Sequence, residues 1–113
     1  MAATRRKLRI GSVGIGGMGN FHLSAHAANK RVKIVALCDL VPEKCERAIV
    51  QHSLDPKTRI YTDFREMIDK EKLDAVDIAT PNDFHSIIAV YALEHGLHVF
   101  CEKPDAINAV EAM

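Results

Sequence analysis

The sequence predicts an α/β protein: a doubly wound parallel sheet in strand order 3-2-1-4-5. Three observations carry that prediction. Short apolar runs alternate with segments of helical spacing five times along the 113 residues, and such alternation forces parallel strands with helices on both faces. No Pro/Gly-rich linker, low-complexity segment or solenoid-spaced repeat interrupts the pattern, so residues 8–113 read as one domain behind a basic leader, residues 1–7. A glycine cluster follows the first apolar run directly, where a strand-to-helix turn meets a ligand in this class of sheet. Right-handed crossovers leave few topologies. The chosen order puts a crevice beyond the carboxyl ends of the first and fourth strands, where the winding reverses.

The elements follow in order. Leu8 to Val13 is a short apolar strand, after which Met18, Phe21, Ala25 and Ala28 recur at helical spacing. Val32 to Leu37 is a second strand, rich in β-branched residues. Pro42 suits a first helical position, and Cys45, Ala48, Ile49 and His52 mark one face of the helix it opens. Arg59 to Thr62 is a short third strand. Asp63 and Glu66 have the spacing of a capping box, with Phe64, Met67 and Ile68 as the buried face behind it. Asp74 to Ala79 is the fourth strand. A long helix runs from Asp83 to His95, with Phe84, Ile87, Ile88 and Tyr91 inward, and Gly96 stands where a helix stops. Leu97 to Cys101 is the last strand, and Ala106 to Met113 is helical.

Composition narrows the function. Fifteen basic residues balance fifteen acidic ones and tryptophan is absent. Without a basic field or stacking aromatics, neither nucleic acid nor an anionic membrane is the expected partner. No apolar run is long enough to span a bilayer. Cys38, Cys45 and Cys101 are odd in number and form no CxxC pair, which reads as free buried thiols in a reducing compartment. The leader carries twin arginines, yet no signal-type apolar stretch follows them. The expected location is the cytoplasm. His22 and His26 stand four apart on the first helix, but no third ligand is evident, so no metal is expected.

Gly14, Gly16 and Gly19 form G-x-G-x-x-G between the first strand and the first helix. Gly14 permits the sharp turn, Gly16 keeps side chains away from a diphosphate, and Gly19 lets the helix pack against the sheet. Ile15, Gly17 and Met18 belong to the same loop, whose helix start aims free N–H groups and a positive dipole end at phosphates. Asp39 lies about twenty residues beyond Gly19, at the end of the second strand, where a carboxylate grips a ribose diol. That carboxylate repels the extra phosphate of NADP, so NAD is the expected cofactor. The plainer alternative is an ordinary turn followed by a surface aspartate.

The second half adds Thr80-Pro81-Asn82, His85, the run "ALEHGLHV" and the closing Glu102-Lys103-Pro104. With the glycine motif and Asp39, these resemble the glucose–fructose oxidoreductase and inositol dehydrogenase family, Gfo/Idh/MocA, over nearly the whole chain from Leu8 onward. The resemblance implies an N-terminal NAD(P)-binding Rossmann domain. It places Thr80, Pro81 and Asn82 along the cofactor near its ribose and nicotinamide end. It sets Lys103 beside the nicotinamide as the candidate catalytic residue, helping to position the substrate hydroxyl or move its proton, with Glu102 in support. The bond before Pro104 is often cis in such proteins. Independently, a lysine at the end of a central strand faces the crevice, where desolvation lowers its pKa into a useful range; the alternative is a solvated surface lysine. His85, in the first turn of the long helix, either faces the crevice or bonds locally.

Family members are longer. A sixth strand and a second α+β domain follow, and that domain supplies the aspartate and histidine that handle the substrate. The expectation for this chain is a domain fragment lacking both, which binds cofactor with little turnover. The corresponding activity is hydride transfer between a sugar or polyol secondary alcohol and nicotinamide. Other readings are a non-catalytic cofactor-sensing or assembly module, and an NAD-dependent glycosidase of the same family. A methyltransferase also uses a glycine-rich loop, but the Glu-Lys-Pro segment speaks against it. Without a covering strand, the edge from Leu97 to Cys101 would invite a second copy of the chain.

Overall fold

The computed structural model describes residues 7–80 and 82–101. Five strands, β1 (Leu8–Val13), β2 (Val32–Cys38), β3 (Arg59–Tyr61), β4 (Ala75–Ile78) and β5 (His98–Cys101), form one sheet. All pair in parallel, in the order β3-β2-β1-β4-β5. The connections are α1 (Gly17–Ala28), α2 (Pro42–Gln51), α3 (Phe64–Lys70) and α4 (Asn82–Glu94).

The register explains where a site can form. Val13 lies opposite Cys38 and Ile78, Cys38 opposite Tyr61, and Ile78 opposite Cys101. All five carboxyl ends therefore stop in one row, and the loops leaving them share one rim. Winding reverses between β1 and β4, which opens a gap between loops that diverge in opposite directions.

The sheet has a separate core on each face. One cluster joins Val13, Val35, Met67, Ile78, Ile88 and Ala92 beneath α3 and α4. The other joins Ile15, Leu23, Ile34, Leu37, Cys45 and Ala48 beneath α1 and α2. The β1–β2 register slips between Ile10 and Gly11. One extra β2 residue is accommodated there, so Val35 and Ala36 both belong to the α3/α4 side while Ile34 and Leu37 belong to the other. Gly11 serves packing: a Cβ there would come within 2.8 Å of Met67 Cε, so α3 seats its methionine where β1 has no side chain.

Element order and type agree with the sequence reading, with shifted ends. β2 continues to Cys38, β3 ends before Thr62, β4 omits Asp74 and Ala79, β5 starts at His98, and α4 runs from Asn82 to Glu94. One detail is added and two are corrected. On α1, Phe21 is 68% exposed and Ala25 and Ala28 are also exposed; the face against the sheet is Gly19, His22 and Leu23. Gly19 must lie against Gly14, and that contact rolls the apolar stripe outward. The capping box on α3 is only half built: Asp63 Oδ1 accepts from the Arg65 N–H at 2.9 Å, but Glu66 turns to Lys70 Nζ at 2.9 Å. Ile87 is 53% exposed, because α4 buries Ile88 and Ala92 and leaves Ile87 at the rim. Gly96 ends α4 at φ +78°, as its position predicts. The leader through Arg6 and the helix from Ala106 to Met113 lie outside the described residues, as does the bond before Pro104.

Candidate functional site

A crevice of about 860 Å³ opens at the row of strand ends, bordered by Gly14, Gly16, Asp39, Val41, Phe64 and Thr80. Its floor is the glycine loop. Gly14 has φ +90°, and a Cβ there would press to 2.8 Å on the Ala79 carbonyl oxygen, so conformation and space both require glycine. A Cβ at Gly19 would fall 1.8 Å from the Gly14 carbonyl oxygen; the helix reaches this position only because the side chain is missing. Gly16 differs. Its Cβ would meet only Lys44 Nζ, at 3.7 Å, so the space in front of it is open. Gly16 is also the N-cap of α1 and offers no capping side chain, while the first turn contains no acidic residue. The helix start thus presents backbone N–H groups and positive dipole to the crevice.

Asp39 holds the loop from the β2 side. Its Oδ2 accepts the Ile15 N–H at 2.8 Å and its Oδ1 accepts the Val41 N–H at 2.9 Å. Two carboxylate oxygens have about four acceptor sites between them, so capacity remains for a ligand diol. The bond to Ile15 makes Asp39 a loop brace as well as a candidate ligand group. No local pattern signals that bond, because its partners are 24 residues apart. Across the gap, Thr80 Oγ1 is buried with no hydrogen-bond partner among the described residues. Thr80 itself lines the crevice, so rotation of its side chain would bring that unbonded hydroxyl to a polar ligand.

The structure brings together Gly14, Ile15, Gly16, Gly19, Asp39 and Thr80. Gly17 and Met18 lie in the first turn of α1, and Asn82 and His85 in that of α4. Pro81, Glu102 and Lys103 lie outside the described residues. Sequence reasoning missed Lys44, Phe64 and Ile87, all on the crevice wall. Lys44 had a signal in hindsight: it is a cation two residues into the helix that follows Asp39. Leu40 and Val41 stand at the mouth, 83% and 41% exposed, with apolar side chains open to solvent.

Several other chemistries have no support in this arrangement. Cys38 borders the crevice, but burial, followed by the neighbouring Cys45, Asp63 and Asp39, pushes its thiol up to about 12. It is a packed thiol rather than a nucleophile. Among the described residues, no three His, Cys, Asp or Glu side chains are arranged to hold a metal, and no helix is long and apolar enough to cross a membrane. His22 and His26 turn instead to Asp77 of β4.

Comparison with known proteins agrees with this geometry. Residues 8–113 match an oxidoreductase family with an NAD-binding Rossmann fold, Gfo/Idh/MocA. Inositol 2-dehydrogenase from Salmonella typhimurium is 35% identical over 105 residues, which cover 92% of this chain and 31% of that protein. Glycosyl hydrolase family 109 protein 1 from Bacteroides thetaiotaomicron is 34% identical over 110 residues, covering 92% of this chain and 24% of that protein. The crystal structure of scyllo-inositol dehydrogenase from Lactobacillus casei, with bound NAD(H) and scyllo-inositol, superposes with a TM-score of 0.78 at 32% identity, covering 95% of this chain and 32% of that one. The chain thus spans a third or less of the length of these relatives.

Proposed function

We propose, on the premise that this chain belongs to the Gfo/Idh/MocA oxidoreductase family and is an NAD-binding Rossmann domain, that the crevice holds the cofactor of a polyol or sugar dehydrogenase. The observation that carries this reading is the open helix start at Gly16, flanked by the Asp39 carboxylate one strand away. The α1 amides receive the diphosphate, and the Lys44 ammonium beside Gly16 adds opposite charge. Asp39 takes the adenosine ribose diol on its remaining acceptor sites. Leu40 and Val41 give the adenine an apolar surface. Thr80, whose hydroxyl turns to the ligand, takes the far end, and Pro81, Asn82 and His85 are proposed to contribute there as the resemblance implies.

The bound cofactor supplies the hydride acceptor and donor. Lys103, supported by Glu102, positions the substrate hydroxyl and handles its proton at Nζ. Turnover requires the reacting carbon and a proton acceptor to be held in contact geometry, with water excluded.

NADH fluorescence titration tests the reading, with NADPH and S-adenosylmethionine as competitors. Saturable NADH binding, with NADPH at least about tenfold weaker because its extra phosphate meets Asp39, supports it. Displacement by S-adenosylmethionine, or no binding, overturns it. The family 109 glycosyl hydrolase relatives favour one second reading, a glycosidase built on the same domain. Release of nitrophenol from nitrophenyl glycosides, without net cofactor reduction, would select it over the dehydrogenase.

A further inference from the structure

Beneath α1 lies a cluster of ionisable side chains that the cofactor site does not use. Asp77, at the centre of β4, is 3% exposed. Its Oδ1 accepts from His22 Nδ1 at 2.8 Å, and its Oδ2 accepts from His26 Nε2 at 2.5 Å. One carboxylate from the sheet thus grips two successive turns of the same helix. Ser12 of β1, opposite Asp77 in the register, is buried beside it, and the Phe100 ring of β5 lies 6.1 Å from the His26 ring.

A polar anchor in this place is costly unless it is used. A buried carboxylate carries a desolvation penalty that an apolar residue avoids. β4 is otherwise fully apolar, Ala75-Val76-Ile78, and all of it is buried. Helix α1 has reason to need such an anchor. Its first turn contains two glycines, Gly17 and Gly19, each a poorer helix former than alanine. It has no capping side chain, and Leu23 is its one fully buried large apolar residue among those described. Its start is where the diphosphate is to be received.

The anchor also joins the two sides of the crevice. α1 belongs to the β1–β2–β3 half, and β4 to the other half. Three residues beyond Asp77, the same chain presents Thr80 to the crevice. Fixing α1 to β4 fixes the separation between the diphosphate amides and the lip that faces the far end of the ligand.

We infer that Asp77 is a positioning residue for dinucleotide binding: through His22 and His26 it sets the roll and depth of α1, and so the aim of the loop amides at the diphosphate. This rests on the cofactor reading above. Its specific consequence is a split between ligands. ADP uses the α1 amides; adenosine uses only the Asp39 side.

The test is calorimetric titration of the 113-residue chain with ADP and with adenosine, for wild type, Asp77→Ala, Asp77→Asn and His26→Ala. Asp77→Ala should weaken ADP about tenfold and adenosine less than about twofold. Asp77→Asn, which keeps the shape and one acceptor oxygen, should recover part of the loss, and His26→Ala should lose about half as much on a logarithmic scale. Equal losses for both ligands, or none for either, would overturn the inference. A wild-type chain that takes up no ADP would overturn the dinucleotide reading and this inference with it. A wild-type chain that binds ADP alongside an unchanged Asp77→Ala chain would overturn this inference alone. Should Asp77→Ala fail to fold, hydrogen exchange of the Asp77→Asn chain decides. Faster exchange confined to the α1 amides supports the anchor; equal acceleration in α1 and α2 refutes it.

Discussion

Helices α1 and α3 begin in opposite ways. α3 closes its own first turn: Asp63 Oδ1 takes the Arg65 N–H, and the Asp63 carbonyl takes the Met67 N–H. α1 starts at a bare glycine and leaves its first amides to the crevice. The difference separates a helix start built for folding from one kept for a ligand. What α3 obtains locally, α1 obtains from distant groups: the Gly19–Gly14 seat, the Asp39 brace on Ile15, and the Asp77 grip on its second and third turns.

Substitutions can break this contrast. The largest effect is expected at Gly19→Ala. Its Cβ overlaps the Gly14 carbonyl, so stability should fall by about 3 kcal/mol or more, read as a lower thermal midpoint together with lost NADH binding. Asp39→Ala removes acceptors from two loop N–H groups and the proposed ribose contact. NADH affinity should drop by about 1–3 kcal/mol in a fluorescence titration, and unchanged affinity would remove Asp39 from the site. Asp63→Ala should cost about 1 kcal/mol in denaturant unfolding and weaken NADH less than Asp39→Ala does, because its carboxylate caps α3 while bordering the crevice. The smallest and sharpest case is Gly16→Ser. The added side chain meets only the end of Lys44 and can cap α1, so stability should rise by a few tenths of a kcal/mol at most. NADH binding should nevertheless weaken, since the new cap competes for the same amides. If Gly16→Ser binds NADH as wild type does, the open start is not the ligand site.

The same contrast shows what was legible in the sequence. Glycine spacing, the cap at Asp63, Pro42 at a helix start and Gly96 at a helix end are local demands. Each is written within a few residues, and each stands where expected. Sheet order followed from alternation and handedness. The buried face of α1 was not legible, because Phe21, Ala25 and Ala28 recur at helical spacing while the real contacts join His22 and His26 to an aspartate 55 and 51 residues away. The brace from Asp39 to Ile15 escaped for the same reason. Ile87 was placed inward because spacing alone cannot distinguish the sheet side of a helix from the rim of a crevice. Lys44 and Phe64 became site residues only when the strand ends fell into one row.

The void at Gly11 that Met67 fills has a consequence for how this chain can change. Strand and helix positions 56 residues apart in sequence share one space, so their tolerances are not independent. A side chain at 11 calls for a shorter one at 67, and a shortened 67 alone leaves a hole. The paired exchange should therefore cost less than the two single changes summed, a coupling visible in a double-mutant cycle. Variation among related chains at either position constrains what the other can accept.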